Sequence, residues 1–442
     1  MAAVTAEVVV VGAGIAGVST AYHLASRPGM GRVVVVDPRP PLTLTSDKST
    51  ECYRNFWPSP EMVELTNHSI SLLEELTEDS GDYFSLSRRG YLFVTSDQQR
   101  LDAMARQAEV SSDYGTGPVR HHPGPKPYGE APDGVDILTH GVLHDAFPYL
   151  NDDAVGAIHV RRAGWFSAQQ LGALMLERFR SKGGEVISAE VEEIIVLGGR
   201  VRGVRIADGS TIEAAAVVVA AGPMSETVAA TAGLELPLFS ELHLKVSFRD
   251  HLGVIPRDAP MVIWSDPQRI DWSDDEREEL AALVRDELLG EMPIFCHGRP
   301  EGGTDSQYFV GLWEYHQKVM EPVWPLPEDP LYPEVVMRGL TTMVPGLVVY
   351  RDRLPPSTVD GGYYTKTGEN RPLIGPAGPE GLHLVAGLSG FGVMVAAAAG
   401  DLAATHICDE ALPLHADAFL LSRYDDPGYL TAVAGLDDHG QL

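Results

Sequence analysis

An unbroken run of valines at positions 8–11 ends in Gly12. A short β-branched run without polar alternation predicts a strand buried on both faces. From Gly14 to Ser26 the spacing becomes helical, with Ile15, Val18, Ala21, Tyr22 and Ala25 on one stripe, and Pro28, Gly29 and Gly31 stop it. A second apolar run at 32–36 ends at Asp37. The pattern predicts one strand–helix–strand unit.

Downstream, residues 61–79 and 169–181 carry helical apolar spacing, and 90–95 reads as a strand. Residues 115–135 are rich in glycine and proline and predict a long loop. Short β segments at 185–187, 191–196, 200–206 and 211–212 are divided by Gly198-Gly199 and Asp208-Gly209. They predict a hairpin-rich meander feeding a buried strand at 214–221. Residues 236–350 differ, with Trp264, Trp272, Trp313, Trp324 and many prolines. Within them 273–291 predicts a single helix, opened by a Ser273–Glu276 capping box and burying Leu280, Leu283, Val284 and Leu288. Such a helix would suit a lid or a contact surface.

The chain has 442 residues, enough for two domains, and 44% of them are hydrophobic. Lys plus Arg number 33 against 62 Asp plus Glu, a net charge of −29. That field repels phosphate backbones and anionic lipid, so neither nucleic acid nor a membrane is an expected partner. Cys52, Cys296 and Cys408 are odd in number and widely spaced, which offers neither a disulfide framework nor a metal site. No uninterrupted apolar run approaches the ~20 residues of a membrane helix, and the N-terminus lacks a basic leader, so a cytoplasmic location is expected.

The glycines carry chemistry. Gly12 permits a tight turn, Gly14 lets backbone approach phosphate oxygens, and Gly17 lets the helix pack on the strand. The helix N-terminus at Ile15 and Ala16 offers N–H groups to a pyrophosphate. Asp37, followed by Pro38 and Arg39, comes 20 residues after Gly17, where a carboxylate accepts ribose hydroxyls. A dinucleotide is the expected ligand, and these segments leave NAD and FAD both open.

Four segments resemble the D-amino-acid oxidase superfamily of flavoproteins, above all its sarcosine oxidase, glycine oxidase and dimethylglycine dehydrogenase branch. They are the unit just described, the stretch 164–194 (GWFSAQQLGALMLERFRSKGGEVISAEVEEI), VVVAAGPMS (217–225), and GGYYTKTGENRPLIG (361–375) with HLVAGLSGFGVMVAAAAGDLAA (383–404). The resemblance implies FAD. It implies a Rossmann-like α/β domain of the glutathione-reductase type, made of 1–89, 151–235 and 351–426. A mixed α+β substrate domain with a large antiparallel sheet would come from 90–150 and 236–350, followed by an acidic tail at 427–442. Cofactor contacts implied by it are Val191 for the adenine, Ala221 and Gly222 beneath the dinucleotide, and Ser46, Lys48 and Ser49 near the flavin. A second glycine turn at Gly387, Ser389, Gly390, Phe391, Gly392, Val393 and Met394 would face the flavin ring.

The position where monomeric sarcosine oxidases carry a flavin-linked cysteine is Gly362, so FAD is expected to be non-covalent, with a histidine link elsewhere left open. Arg54 matches the family's substrate arginine and Tyr364 a tyrosine over the flavin, whereas Met394 stands where related sarcosine oxidases clamp the substrate with lysine. Lys245 and Lys318 are alternatives for the lysine that activates oxygen, and Lys48 also lies near flavin. Phe56, Trp57, Trp313 and Tyr315 are either core or an aromatic pocket. The implied reaction is oxidation of the C–N bond of an amine or N-alkyl amino acid to an imine, with O2 or another acceptor reoxidising the flavin. A flavin dehydrogenase of hydroxy acids and a non-catalytic flavin-binding subunit are the alternatives. Oligomeric state is not legible.

Overall fold

In the computed structural model, which describes residues 4–124, 128–303, 305–315 and 319–433, the valine runs become the centre of a parallel sheet. Strand Val4–Val11 lies between Val33–Asp37 and Thr211–Val219, parallel to both. Both faces of the runs are buried: Val8, Val10, Val33 and Val35 join one core cluster, and Val9, Val11, Val34 and Val36 join another across the sheet. Each buried valine contributes about 1.5–3 kcal/mol, which is why no polar residue interrupts the runs. Glu185–Ser188 extends one edge. The hairpin Val191–Leu197/Arg200–Ile206 continues from Thr211–Val219, whose other half pairs with Leu382–Ala386. The two β segments expected at 211–212 and 214–221 are a single strand.

Helices Ile15–Ser26, Pro60–Ser80, Ala168–Ser181 and Gly392–Ile407 cover one face of this sheet. Gly392–Ile407 sits closest to Ile15–Ser26, because a Cβ on Gly400 would lie 2.5–2.7 Å from atoms of Ser19 and Thr20. The segment Ser389–Ile407 is long and apolar enough to cross a membrane by length and composition, and its apolar faces are consumed by this packing. Asp401 pins the contact, reaching His23 Nδ1 at 3.3 Å, Arg27 Nη2 at 2.8 Å and His68 Nε2 at 2.8 Å on two other helices.

A second sheet of nine strands runs Ser357–Lys366, Phe239–Arg249, Tyr308–Leu312, Cys296–Glu301, Met261–Trp264, Tyr91–Thr95, Gly156–Val160, Val135–Thr139 and Val119–His122. It is antiparallel except where Met261–Trp264 meets Tyr91–Thr95 and Val119–His122 meets Val135–Thr139. Helix Tyr332–Met343 packs on it over a core that includes Trp264, Trp272 and Trp313. The sequence boundaries shift by two strands: Gly156–Val160 and Ser357–Lys366, expected in the nucleotide domain, pair in this sheet. The predicted loop at 115–135 holds the edge strand Val119–His122, paired with residues that follow it in sequence.

The helix predicted over 273–291 forms only at Asp274–Ala282, with its capping box intact. It breaks at Val284, whose φ is 57°, and Leu283 and Val284 are exposed while Leu280 and Leu288 are buried. The tail begins with a short helix, Pro427–Val433, and its remainder at 434–442 lies outside the described residues.

Burial alone would raise the Asp401 carboxyl, but its hydrogen bonds to His23, His68 and Arg27 outweigh burial and hold it well below the ordinary carboxylate range. A depressed carboxyl stabilises the fold above its unfolded pKa of about 3.9 and loses that contribution as pH falls. Asp401→Asn is expected to cost about 1–3 kcal/mol at neutral pH. Thermal melts should show a lower midpoint, with the difference from wild type narrowing below about pH 4.

Candidate active site

The first glycine turn is enforced by backbone on backbone. Gly12 has φ 108°, and a Cβ there would lie 2.3 Å from the Ala220 carbonyl oxygen; on Gly17 it would lie 1.9 Å from the Gly12 oxygen. Gly17 thus seats the helix on the strand and does not line the cavity, while Gly12, Gly14, Ile15 and Ala16 do. Gly14 has no side chain with which to cap the helix. Ser46 Oγ accepts the Ile15 N–H at 2.9 Å, and Asp37 accepts the N–H groups of Ala13 and Arg39, both at 2.8 Å.

These residues line one cavity of about 740 Å³, inside the size range of ligand sites. Asp37, Pro38, Arg39 and Val191 line its wall, as do Ala221 and Gly222, Ser46, Lys48 and Ser49. Gly387, Ser389, Gly390, Gly392 and Val393 line it too, at the N-terminus of helix Gly392–Ile407, which also lacks a side-chain cap. Among the wall residues, Thr45 Oγ1 is buried without a hydrogen-bond partner. Two helix N-termini, a carboxylate after the second strand, an orphaned hydroxyl and a glycine cradle fit an extended dinucleotide. The residues therefore fit FAD.

The strand pair Phe239–Arg249/Ser357–Lys366 closes the cavity from the second domain. Its alternation explains the placement. Leu244, Val246 and Phe248 enter the domain core, with Leu242 packed against it. The opposite face carries Glu241, His243 and Lys245, set against Tyr364, Gly362 and Asp360. His243 stacks on the Tyr364 ring at 3.6 Å and 15°. On the other side, a Cβ at Gly390 would lie 2.4 Å from the same ring.

Lys245 and Lys48 differ in state. Burial lowers the Lys245 ammonium, whose Nζ donates to the Ser49 carbonyl at 2.6 Å. Lys48 pairs with Asp47 at 2.7 Å and Asp360 at 3.0 Å, and the bond to Asp47 raises it further. Lys318 lies outside the described residues.

A smaller cavity of about 40 Å³ adjoins, sharing Thr50, Leu312, Tyr364 and Gly390 with the large one. Arg54 and Met394 line it, with Phe391, Tyr91, Cys52, Met261, His297 and Glu314. The Arg54 guanidinium lies 4.3 Å from the Trp57 ring centre, and its Nε–H donates to the Phe56 carbonyl at 3.1 Å. Burial lowers its pKa, yet an arginine remains charged. His297 is held below its ordinary value by burial. Burial would raise Glu314, but the imidazole of His243, 2.7 Å away, outweighs it and keeps the carboxyl low.

Phe391 and Met394 therefore face the small cavity, although they were expected among the cofactor contacts, because the turn at Ser389–Phe391 carries them past the large one. Trp57 packs on Phe391 at 5.0 Å, and Trp313 and Tyr315 belong to the second core. No aromatic pocket forms from them. Sequence reasoning missed Glu314, His243, His297 and Tyr91. For His243 a signal existed, since strand alternation puts it on the same face as Lys245. Glu314 had none, because its partners come from other strands.

In sequence, the chain is 30% identical over 253 residues to human mitochondrial sarcosine dehydrogenase, covering 55% of this chain and 25% of that protein. It is 26% identical over 241 residues to sarcosine oxidase subunit beta of Arthrobacter sp, covering 53% of this chain and 55% of that one. The chain thus spans about a quarter of the first of these relatives and about half of the second. In structure, L-proline dehydrogenase from P. horikoshii superposes with a TM-score of 0.75 at 20% identity, covering 96% of this chain and 98% of that one. Glycine oxidase from Geobacillus kaustophilus gives 0.73 at 18% identity, covering 95% and 99%. The family described as FAD dependent oxidoreductase matches residues 7–406, a span that holds both cavities, and this chain belongs to it.

Proposed function

We propose that the protein oxidises the C–N bond of an amino acid or N-alkyl amine, with FAD in the large cavity and the substrate where the small one joins it. The observation that carries this reading is the junction of the two: a buried guanidinium, Arg54, lines a small cavity that shares Tyr364, Gly390 and Leu312 with the cofactor cavity. The names of the relatives support the same bond, since they act on sarcosine, proline and glycine. When bound, FAD supplies a two-electron acceptor.

The chain's own residues do the rest. Arg54 can hold a carboxylate through paired N–H groups. Tyr364, fixed between His243 and Gly390, forms part of the wall between the cavities. The apolar lining from Met261, Leu312 and Met394 excludes water. Oxidation needs the neutral amine, so the substrate nitrogen must lose a proton within the cavity. Lys245, buried on the cavity wall, is the lysine favoured for promoting reaction with O2. We also read the cofactor as non-covalent, because none of the three cysteines lines the large cavity and position 362 is glycine.

Anaerobic titration of the FAD-loaded protein tests the reaction. Bleaching of the flavin band by amines or amino acids is expected, and bleaching by hydroxy acids alone would replace this reading with an alcohol dehydrogenation. Arg54→Met is expected to weaken carboxylate-bearing substrates about 10–100-fold while flavin content is retained. Lys245→Met is expected to slow reoxidation by O2 about 100-fold and leave the anaerobic reduction rate unchanged. Unchanged reoxidation in that variant would move the role to Lys318 or point to an acceptor other than O2. Acid precipitation is expected to release all flavin into the supernatant.

A further inference from the structure

We propose that Glu314, backed by His243, holds the cationic nitrogen of the substrate and takes the proton that nitrogen must lose. The inference rests on the C–N reading above.

Two groups of opposite charge, Arg54 and Glu314, line the small cavity. One guanidinium and one carboxylate are the complement of a zwitterion, an amino acid with its carboxylate toward Arg54 and its nitrogen toward Glu314. A carboxylate is costly to keep in such a place unless it is paired. Glu314 is paired from behind. His243 Nδ1 lies 2.7 Å from Glu314 Oε1, His243 Nε2 lies 3.4 Å from Glu241 Oε2, and Glu241 lies 2.8 Å from Lys366 Nζ. The charged and titratable groups that interact with Glu314 come from three strands and one helix: His243, His297, Lys366 and Tyr364 from the strands, and Tyr332 from helix Tyr332–Met343. The imidazole is fixed in plane by Tyr364.

The proton balance is simple. One N–H bond of the substrate ammonium breaks and its electron pair stays on nitrogen. The proton passes through the Glu314 carboxylate to form an N–H bond on His243. Neutral imidazole has one nitrogen able to accept it, so the step needs His243 unprotonated. Burial would lower His243, but Glu314 and Glu241 outweigh it and raise it above the ordinary histidine value. Reduction of the flavin by an amine should therefore rise with pH, with its inflection above about 6.5.

The test uses FAD-loaded protein and ligand pairs that differ by oxygen for NH: sarcosine and methoxyacetate, L-proline and tetrahydrofuran-2-carboxylate, iminodiacetate and diglycolate. Binding is read from the perturbed flavin spectrum. Glu314→Gln is expected to weaken the amine member on the order of 10–100-fold and its oxygen analogue less than about twofold. In the same variant the pH inflection of flavin reduction should be lost, because an amide cannot pass the proton on to His243, and His243→Asn should abolish it too. Equal losses within a pair, or an unmoved inflection, overturn the inference. Should Glu314→Gln fail to hold FAD, Glu314→Asp and His243→Asn carry the same comparison, with the amine preference kept in the first and the inflection lost in the second. If amines reduce the wild-type flavin and these variants behave as wild type, this inference alone fails. If no amine reduces the wild-type flavin, the reading beneath it fails.

Discussion

Two helices must approach closely enough that both of their N-termini reach one cavity. Glycine makes that approach possible. Gly17 allows helix Ile15–Ser26 to sit against the Gly12 carbonyl, and Gly400 allows helix Gly392–Ile407 to cross against Ser19 and Thr20. A single methyl group at either place would meet backbone within 3 Å. Because the crossing is fixed, the starts at Ile15 and Gly392 are fixed too, both on the large cavity. Both ends carry the positive pole of a helix, so the cavity favours an anionic dinucleotide before any side chain is counted.

The second constraint is that charge placed beside this cavity must be partnered. Strand Phe239–Arg249 presents Glu241, His243 and Lys245 on one face, and Ser357–Lys366 presents Lys366, Tyr364 and Asp360 opposite. Signs alternate along the row, so Glu241 is held by Lys366 and His243, and Lys48 by Asp360. Buried ion pairs of this kind stabilise little against an apolar alternative. Buried pairs elsewhere, such as those of Asp401, hold helices together, whereas this row is set apart by reaching the two cavities through His243, Lys245 and Tyr364.

Legibility in the sequence followed the range of the interactions. The valine runs, the glycine turns and Asp37 act within one strand–helix–strand unit, and spacing alone revealed them. The edge strand Val119–His122 was hidden because its partner, Val135–Thr139, gives no sign within the glycine- and proline-rich stretch itself. The break in the helix after Ala282 was hidden as well, since Leu283 and Val284 look like core positions and are exposed. Arg54 and Tyr364 came from the family resemblance, and the structure brings both to the small cavity. Glu314 stayed invisible because nothing in WEYHQK distinguishes a buried functional acid from a surface one; its meaning comes from His243 and Lys366 on other strands.

The same strand pair also explains why one segment can serve stability and chemistry without conflict. Period-2 alternation assigns Leu244, Val246 and Phe248 to the domain core and His243 and Lys245 to the cavity. Changing a residue on one face does not require moving the other, since the ladder of backbone hydrogen bonds between the two strands holds the register. Substrate preference can therefore drift through Glu314, Met394 and the polar face of this pair while the fold stays put. On that view Met394, which stands where related enzymes place a lysine, is not a damaged clamp. With Arg54 on one wall and Glu314 on the other, a second cation at position 394 would compete for Glu314 and weaken its hold on the substrate nitrogen. The apolar side chain of methionine adds no such competitor to the lining.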